Sequence, residues 1–500
     1  MAHQIIETNR GVLNLRTPPM LQQRNAQGSL SGVTNASTGM IPISSPAFDY
    51  TLSRGGGFSQ NDTSTAWCGP NIVTGYNDSS AVLMTLNNAS GGLSFSGIAH
   101  SGDGGKSFTD LGYLDPGAAS YNFLVGNPSV ACANAGRFYY ASIFATAIPS
   151  ASSLVFKQAI AINTSTDGGR TWSAPTAAVL KNSEHILERE SLAVDPSNPQ
   201  RLYISYTDLG FETAQAGYCA GQSQMLINLV RSVDGGQTWT KPVTIRKVCG
   251  NSSNAVNGSQ VAVSPSGLVY VAYLFYDNVK GRELIQLRKS ADHGVSFDKQ
   301  VDVTAVIPAG SDSMLQGMFL SNEYPSLAVD RSKGATRETL YLAWTDGRNR
   351  SQIDVFSGTG VYNFADILLV KSTDHGSHWS TPSEVSPVPS SANVDRFMPG
   401  VAVDSAGKLA VCYSDRRNDR QNDAIDHYCS ITQDGGASFQ DLRLTSKSWN
   451  PAHSTDLVLN NSYMQDYDQV SPDWTGSKGG FFAGFQFQSY GNPSAYGVRF

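Results

Sequence analysis

Five hundred residues with a net charge of −6, 40% hydrophobic and only 15% charged, describe a chain with ample core and no basic footprint. That balance argues against a nucleic-acid partner and against docking on an anionic membrane surface. The longest apolar stretches, such as Gly267–Tyr276, are of strand length and too short to span a bilayer. The 48 glycines and the scarcity of helical periodicity predict many short strands joined by turns. Low charge and an even count of six cysteines predict an exported protein, secreted or periplasmic.

In chain order, residues 1–44 read as an N-terminal arm and 45–500 as one domain built on a repeat. Units begin near residues 62, 128, 190, 259, 323 and 397. Each opens with two short apolar runs, weakly at Thr63–Asp78 and Pro128–Phe144, then clearly at Glu190–Asp208, Ser259–Tyr273, Tyr324–Asp346 and Met398–Asp415. Each closes on a turn of the form Ser/Thr-x-Asp-x-Gly-x-x-aromatic, from Ser101–Phe108 through Ser165–Trp172, Ser232–Trp239, Ser290–Phe297 and Ser372–Trp379 to Thr432–Phe439. In such a turn the aspartates (Asp103, Asp167, Asp234, Asp292, Asp374 and Asp434) accept hydrogen bonds from loop amides. The glycine supplies a positive φ, and the aromatic anchors the outgoing strand.

A seventh unit, Tyr467–Trp474, Gly480–Gln486 and Ser494–Phe500, offers three strands and no such turn. The missing outer strand is expected from Ile5–Leu15 or Phe48–Ser53. Four antiparallel strands per unit make a β-propeller, all-β, with seven blades expected and six plus a terminal appendage as the alternative. In that frame Cys412 and Cys429 lie on neighbouring strands of one blade, and Cys219 and Cys249 flank an outer hairpin of another. Cys68 and Cys132 end first strands of adjacent blades, so three local disulfides are expected.

The repeated turn resembles the Asp-box (BNR) repeat of the sialidase superfamily of propellers, over about residues 60–450. The resemblance implies that the boxes are structural and sit on the face opposite the functional one. That opposite face receives the entrances to the first strands and the long insertions at Phe144–Val155, Leu209–Gln222, Gly347–Asn363 and Arg416–Asp426. Charged and aromatic residues that the repeat does not require converge there: Asp62, Arg189, Glu190, Glu323, Arg396, Tyr467 and Asp468, with Arg348 after a second strand. His185 and His427 are further candidate bases, whereas the aspartates that recur after the second strands (Asp78, Asp208, Asp277, Asp346 and Asp415) read as turn caps. By the resemblance, Asp62 matches an acid/base, Glu190 and Tyr467 a carboxylate–tyrosine pair, and Arg189, Arg348 and Arg396 an arginine cluster for a substrate carboxylate. Glu323 and Asp468 join the substrate-binding set. The sialidase triplet Arg-Ile-Pro is replaced by Asp62-Thr63-Ser64.

The reading this supports is a sialidase-like glycoside hydrolase acting on a glycan with an acidic sugar. A uronate lyase and a non-catalytic, lectin-like binder are the alternatives. The partner is a carbohydrate. No cofactor or catalytic metal is expected, although the oxygen-rich run Asp415–Asp423 offers ligands for a structural calcium without matching a standard loop.

Overall fold

The computed structural model describes residues 39–45, 58–86 and 91–500, apart from 120, 150–152, 212–218, 220–222, 251–253, 312–313, 318, 354–359, 388–392, 451–455, 457–466, 475–478 and 489–492. Seven blades, each of four antiparallel strands, follow one another around a ring, and a short fifth strand joins blade 2. Their first strands are Gln60–Cys68, Phe123–Asn134, His185–Asp195, Ala255–Val263, Ser326–Val329, Arg396–Val403 and Val470–Pro472. In blades 1 to 6 all four strands come from consecutive chain. Blade 7 takes its outer strand from Ile41–Pro42, with Ile41 opposite Gly497 and Pro42 opposite Tyr496. The two segments expected in that role, Ile5–Leu15 and Phe48–Ser53, lie outside the described residues.

Second strands such as Val269–Asp277 are apolar almost throughout, because each blade is covered on both faces by its neighbours. The core is accordingly a series of layers between blades. Tyr270, Leu342 and Trp344 fill the layer between blades 4 and 5, while Trp67, Ile72 and Phe482 help fill the one that closes blade 7 on blade 1. Three disulfides form as expected: Cys68–Cys132 across blades 1 and 2, Cys219–Cys249, and Cys412–Cys429 within blade 6.

The six Asp turns share one construction. Asp234 Oδ1 accepts from Ser232 Oγ (2.7 Å), Gln237 N (3.0 Å) and Thr238 N (2.9 Å), and Oδ2 accepts from Thr238 Oγ1. These bonds favour the ionised form and hold the Asp234 carboxyl at about 2. The turns dock on the hairpins joining first and second strands, as where Gly168 N donates to Gly136 O (3.0 Å) and Gly235 N to Gln200 O (2.9 Å). Both kinds of turn therefore occupy one face, and the entrances to the first strands occupy the other.

Besides two short hairpins, Met314–Leu315 with Phe319–Leu320 and Ser351–Ile353 with Val361–Asn363, one insertion stands apart from the repeat. A helix, Ser79–Leu86, follows the second strand of blade 1. Asp78 caps it by accepting from Ser80 N (2.9 Å) and Ser80 Oγ (2.6 Å). The helix leads into Leu93–Ser94, which pairs in parallel with the first strand of blade 2.

Candidate functional site

Every complete first strand begins with a β-bulge. The register slips between Asn61 and Ser64, Gly126 and Ser129, Glu188 and Ser191, Asn257 and Gln260, and Phe397 and Gly400. Five bulge residues, Asp62, Asn127, Arg189, Gly258 and Met398, have φ between 52° and 65°. A left-handed arginine or methionine is strained in isolation, but the recurrence assigns this strain to the bulge itself. Two residues further on, a side chain reaches the next blade. Ser64, Ser129, Ser191 and Ser326 Oγ accept from Val130, Leu192, Val261 and Val401 N at 2.8 to 3.2 Å. Gln260 Oε1 does the same for Leu327 N (2.9 Å), and Gln469 Oε1 accepts from Ser64 Oγ (2.8 Å).

The bulges thus form a hydrogen-bonded collar around the axis, and the residues riding on it line a depression of about 560 Å3 open to solvent. Arg189, Glu190, Tyr324, Met398 and Tyr467 line it, with Asn322, Gln260 and Gln469. Below the collar an axial channel of about 770 Å3 runs between the first strands, past small residues such as Ala193 and Ala262. At its far end Arg331 stacks on Trp474 at 5.5 Å.

Glu190 is 4% exposed, and neither carboxylate oxygen makes a hydrogen bond of good geometry. Burial lifts its pKa well above the usual carboxylate range. The Glu188 charge adds to the rise, and nearby backbone amides and Arg189 offset only part of it. The depression is therefore lined by a carboxyl whose burial favours its protonated form. The Arg189 guanidinium lies 4.3 Å from the centre of the Tyr324 ring. The Tyr324 hydroxyl accepts from Asn257 Nδ2 (3.1 Å), while Asn257 Oδ1 accepts from Thr207 Oγ1 and Gly258 N (both 2.8 Å). Tyr467 Oη donates to Pro128 O (2.8 Å), so no hydrogen bond joins it to Glu190.

The structure thus brings Arg189, Glu190 and Tyr467 together and leaves the other sequence candidates elsewhere. Asp62 occupies the blade 1 bulge fully buried, accepting from Asn77 Nδ2 (2.6 Å). Glu323 is buried beside the depression, accepts from Ala309 N (3.0 Å), and is pushed up to about 7 by burial. Asp468 accepts from Thr63 Oγ1 (2.7 Å) and faces a small cavity beside His427. Arg396 is 1% exposed and pairs with Asp366 (3.0 Å) and Asp415 (3.4 Å). Arg348 is clamped on Asp346 (2.7 Å) and on Ala305 O. An arginine cluster of Arg189, Arg348 and Arg396 does not assemble in the depression, because internal aspartates hold the latter two.

His185 is buried against Asp208 (2.5 Å), and His427 is buried, stacked on Phe485 and held down at about 4 by desolvation. Two carboxylates of the Asp415–Asp423 run serve the protein itself: Asp415 accepts from Arg417, and Asp419 from three loop amides. Among the described residues no group of three or more His, Cys, Asp or Glu is placed to hold a metal ion. Tyr324 escaped the sequence-derived site. Alignment of Tyr324-Pro-Ser with Asn127-Pro-Ser and Arg189-Glu-Ser would have put it, and not Glu323, on the bulge.

No family model matches the chain. Over 213 residues it is 25% identical to a xyloglucanase of Hypocrea jecorina (strain QM6a), a match covering 42% of this chain and 22% of that protein. The chain thus spans about a fifth of the length of the curated relative it matches. Among solved structures it is similar to an α-L-arabinofuranosidase of Fusarium graminearum in complex with arabinobiose, with a TM-score of 0.47 and 13% identity over 79% of this chain and 97% of that one. An α-L-arabinanase of Penicillium chrysogenum gives 0.43 and 15% over 77% and 94%. An intramolecular trans-sialidase of Ruminococcus gnavus gives 0.40 and 11% over 88% and 94%.

Proposed function

We propose that this propeller is a secreted glycoside hydrolase of the sialidase-like, Asp-box kind, cleaving a glycosidic bond in the axial depression. The observation that carries the proposal is Glu190, a buried carboxyl at the wall of an open depression, in surroundings that favour its protonated form. Glycosidic cleavage needs such an acid to protonate the leaving oxygen, with a second group on the other side of the scissile bond. Glu190 takes the donor role here, in place of the tyrosine-activating role that the resemblance implies. Tyr467, which lines the same depression from a blade across the axis, is the proposed second reacting group, and Asp62, fully buried against Asn77, is left out of the set. The Asp turns supply the scaffold, and the three disulfides suit the oxidising setting of an exported protein.

Glu190→Gln keeps the shape and removes the proton donor. Release of reducing ends from a panel of oligosaccharides should fall about a hundredfold or more, with kcat losing its alkaline limb. The unfolding midpoint should hold or rise, since this buried acid is no longer there to ionise. Full activity in the variant would rule out the assignment of Glu190.

A further inference from the structure

We infer that the sugar seated in the depression is neutral, a pentose or hexose without a carboxylate. This rests on the reading above that the depression holds a glycan, and it departs from the acidic sugar that the resemblance implies.

The charge inventory at the site carries the inference. Among the described residues lining the depression, Arg189 is the one cation, and its guanidinium lies over the Tyr324 ring at 4.3 Å. Arg396 and Arg348, the other two arginines on this face proposed for a carboxylate, are bound to Asp366, Asp415 and Asp346 inside the blades. Freeing Arg396 would leave buried Asp366 without its cation, and freeing Arg348 would do the same to buried Asp346. A sugar carboxylate brought into the depression would be desolvated there against a single guanidinium already engaged with an aromatic face. The chain also carries a net charge of −6, which repels polyanions at long range.

The rest of the lining matches hydroxyl groups and ring faces. Asn322, Gln260 and Gln469 bring carboxamides, Tyr324 and Tyr467 bring aromatic rings with phenol oxygens, and Met398 brings apolar surface. The collar fixes two of those carboxamides in place, Gln260 through Leu327 N and Gln469 through Ser64 Oγ. Oriented amides and aromatic faces read a polyol by hydrogen bonding and stacking without needing charge.

The test compares matched pairs: acidic oligosaccharides (oligogalacturonate, sialyl-lactose) against the same compounds with carboxyl groups reduced to alcohols, beside neutral arabino-, xylo- and galacto-oligosaccharides. Reducing-end release and calorimetric binding are measured from about 0.05 to 0.5 M NaCl. Neutral or carboxyl-reduced probes should be turned over or bound at least about tenfold better than the acidic ones, with no salt dependence. Preference of about tenfold for the acidic partner, weakened by salt, overturns the inference while leaving the hydrolase reading intact. Binding of neutral probes without turnover of any probe upholds neutrality and overturns the hydrolase reading. Binding of none overturns both.

Discussion

Arg396 and Glu190 sit at the entrances of first strands and are both almost fully buried, yet their burial means opposite things. Arg396 lies opposite Asp415 in the strand pairing and also meets Asp366, so its charge is matched. Glu190 has no such partner, and desolvation pushes it toward its protonated form. Arg396→Ala should therefore act through stability, not binding. It would leave buried Asp366 without its cation, while Asp415 keeps Arg417, at a cost of about 3–5 kcal/mol read by urea denaturation. Activity per folded molecule should be retained, and a selective rise in KM without loss of stability would return Arg396 to the substrate. The sequence shows why the two residues look alike: both precede an alternating apolar run, and the partners that separate them are an aspartate 19 residues on and another in the preceding blade. Such pairings become visible only once the blade register is known.

Strands and turns were the most legible part of the chain. Six copies of the Asp turn and the alternation before them declared four-stranded blades, and cysteine positions within that frame predicted all three disulfides. The bulge was not legible, because its signature is a backbone conformation filled by Asp, Asn, Arg, Gly or Met. Nor was the helix Ser79–Leu86, whose sequence has no polar stripe to betray a helical period. The bulge matters because it aims the site. Gly258 has φ 65°, and a Cβ there would fall 2.0 Å from the Tyr324 ring. Gly258→Ala should therefore push Tyr324 out of place and uncouple it from Arg189 and Asn257. Turnover should fall about tenfold or more, with a stability loss of about 1–3 kcal/mol from strain and overpacking. Unaltered kinetics in a folded variant would show that the position of Tyr324 is immaterial to the reaction.

At the scale of the whole ring, closure and ionisation are the properties no single blade determines. Closure rests on a two-residue strand backed by Ile43, which is fully buried among Trp67, Tyr76 and Phe482. Ile43→Ala should cost about 2–5 kcal/mol, seen as a lower denaturation midpoint; a change under about 0.5 kcal/mol would mean that the ring closes without this arm. Ionisation follows from burying acids between blades. Burial raises Asp78 to about 6 and Glu283 and Glu323 to about 7, and lifts Glu190 well above its usual range. In the unfolded chain these carboxyls ionise near pH 4. Their contribution is thus fully present below that pH and is lost as pH rises through the folded values. His100 and His427, pushed down to about 4 by burial, act in the other direction: the unfolded chain takes up their protons below about 6.5, so their contribution is lost as pH falls. Four such carboxyls outweigh two imidazoles, so between about pH 5 and 7 the folded state binds more protons than the unfolded one, and stability falls as pH rises. Scanning calorimetry should find a higher Tm at pH 5 than at pH 7.5, and Glu323→Gln, which keeps an oxygen for Ala309 N, should flatten the slope. A Tm that climbs from pH 5 to 7.5 would mean that these acids are ionised in the fold, Glu190 among them, and would take away the proton that the proposed mechanism transfers.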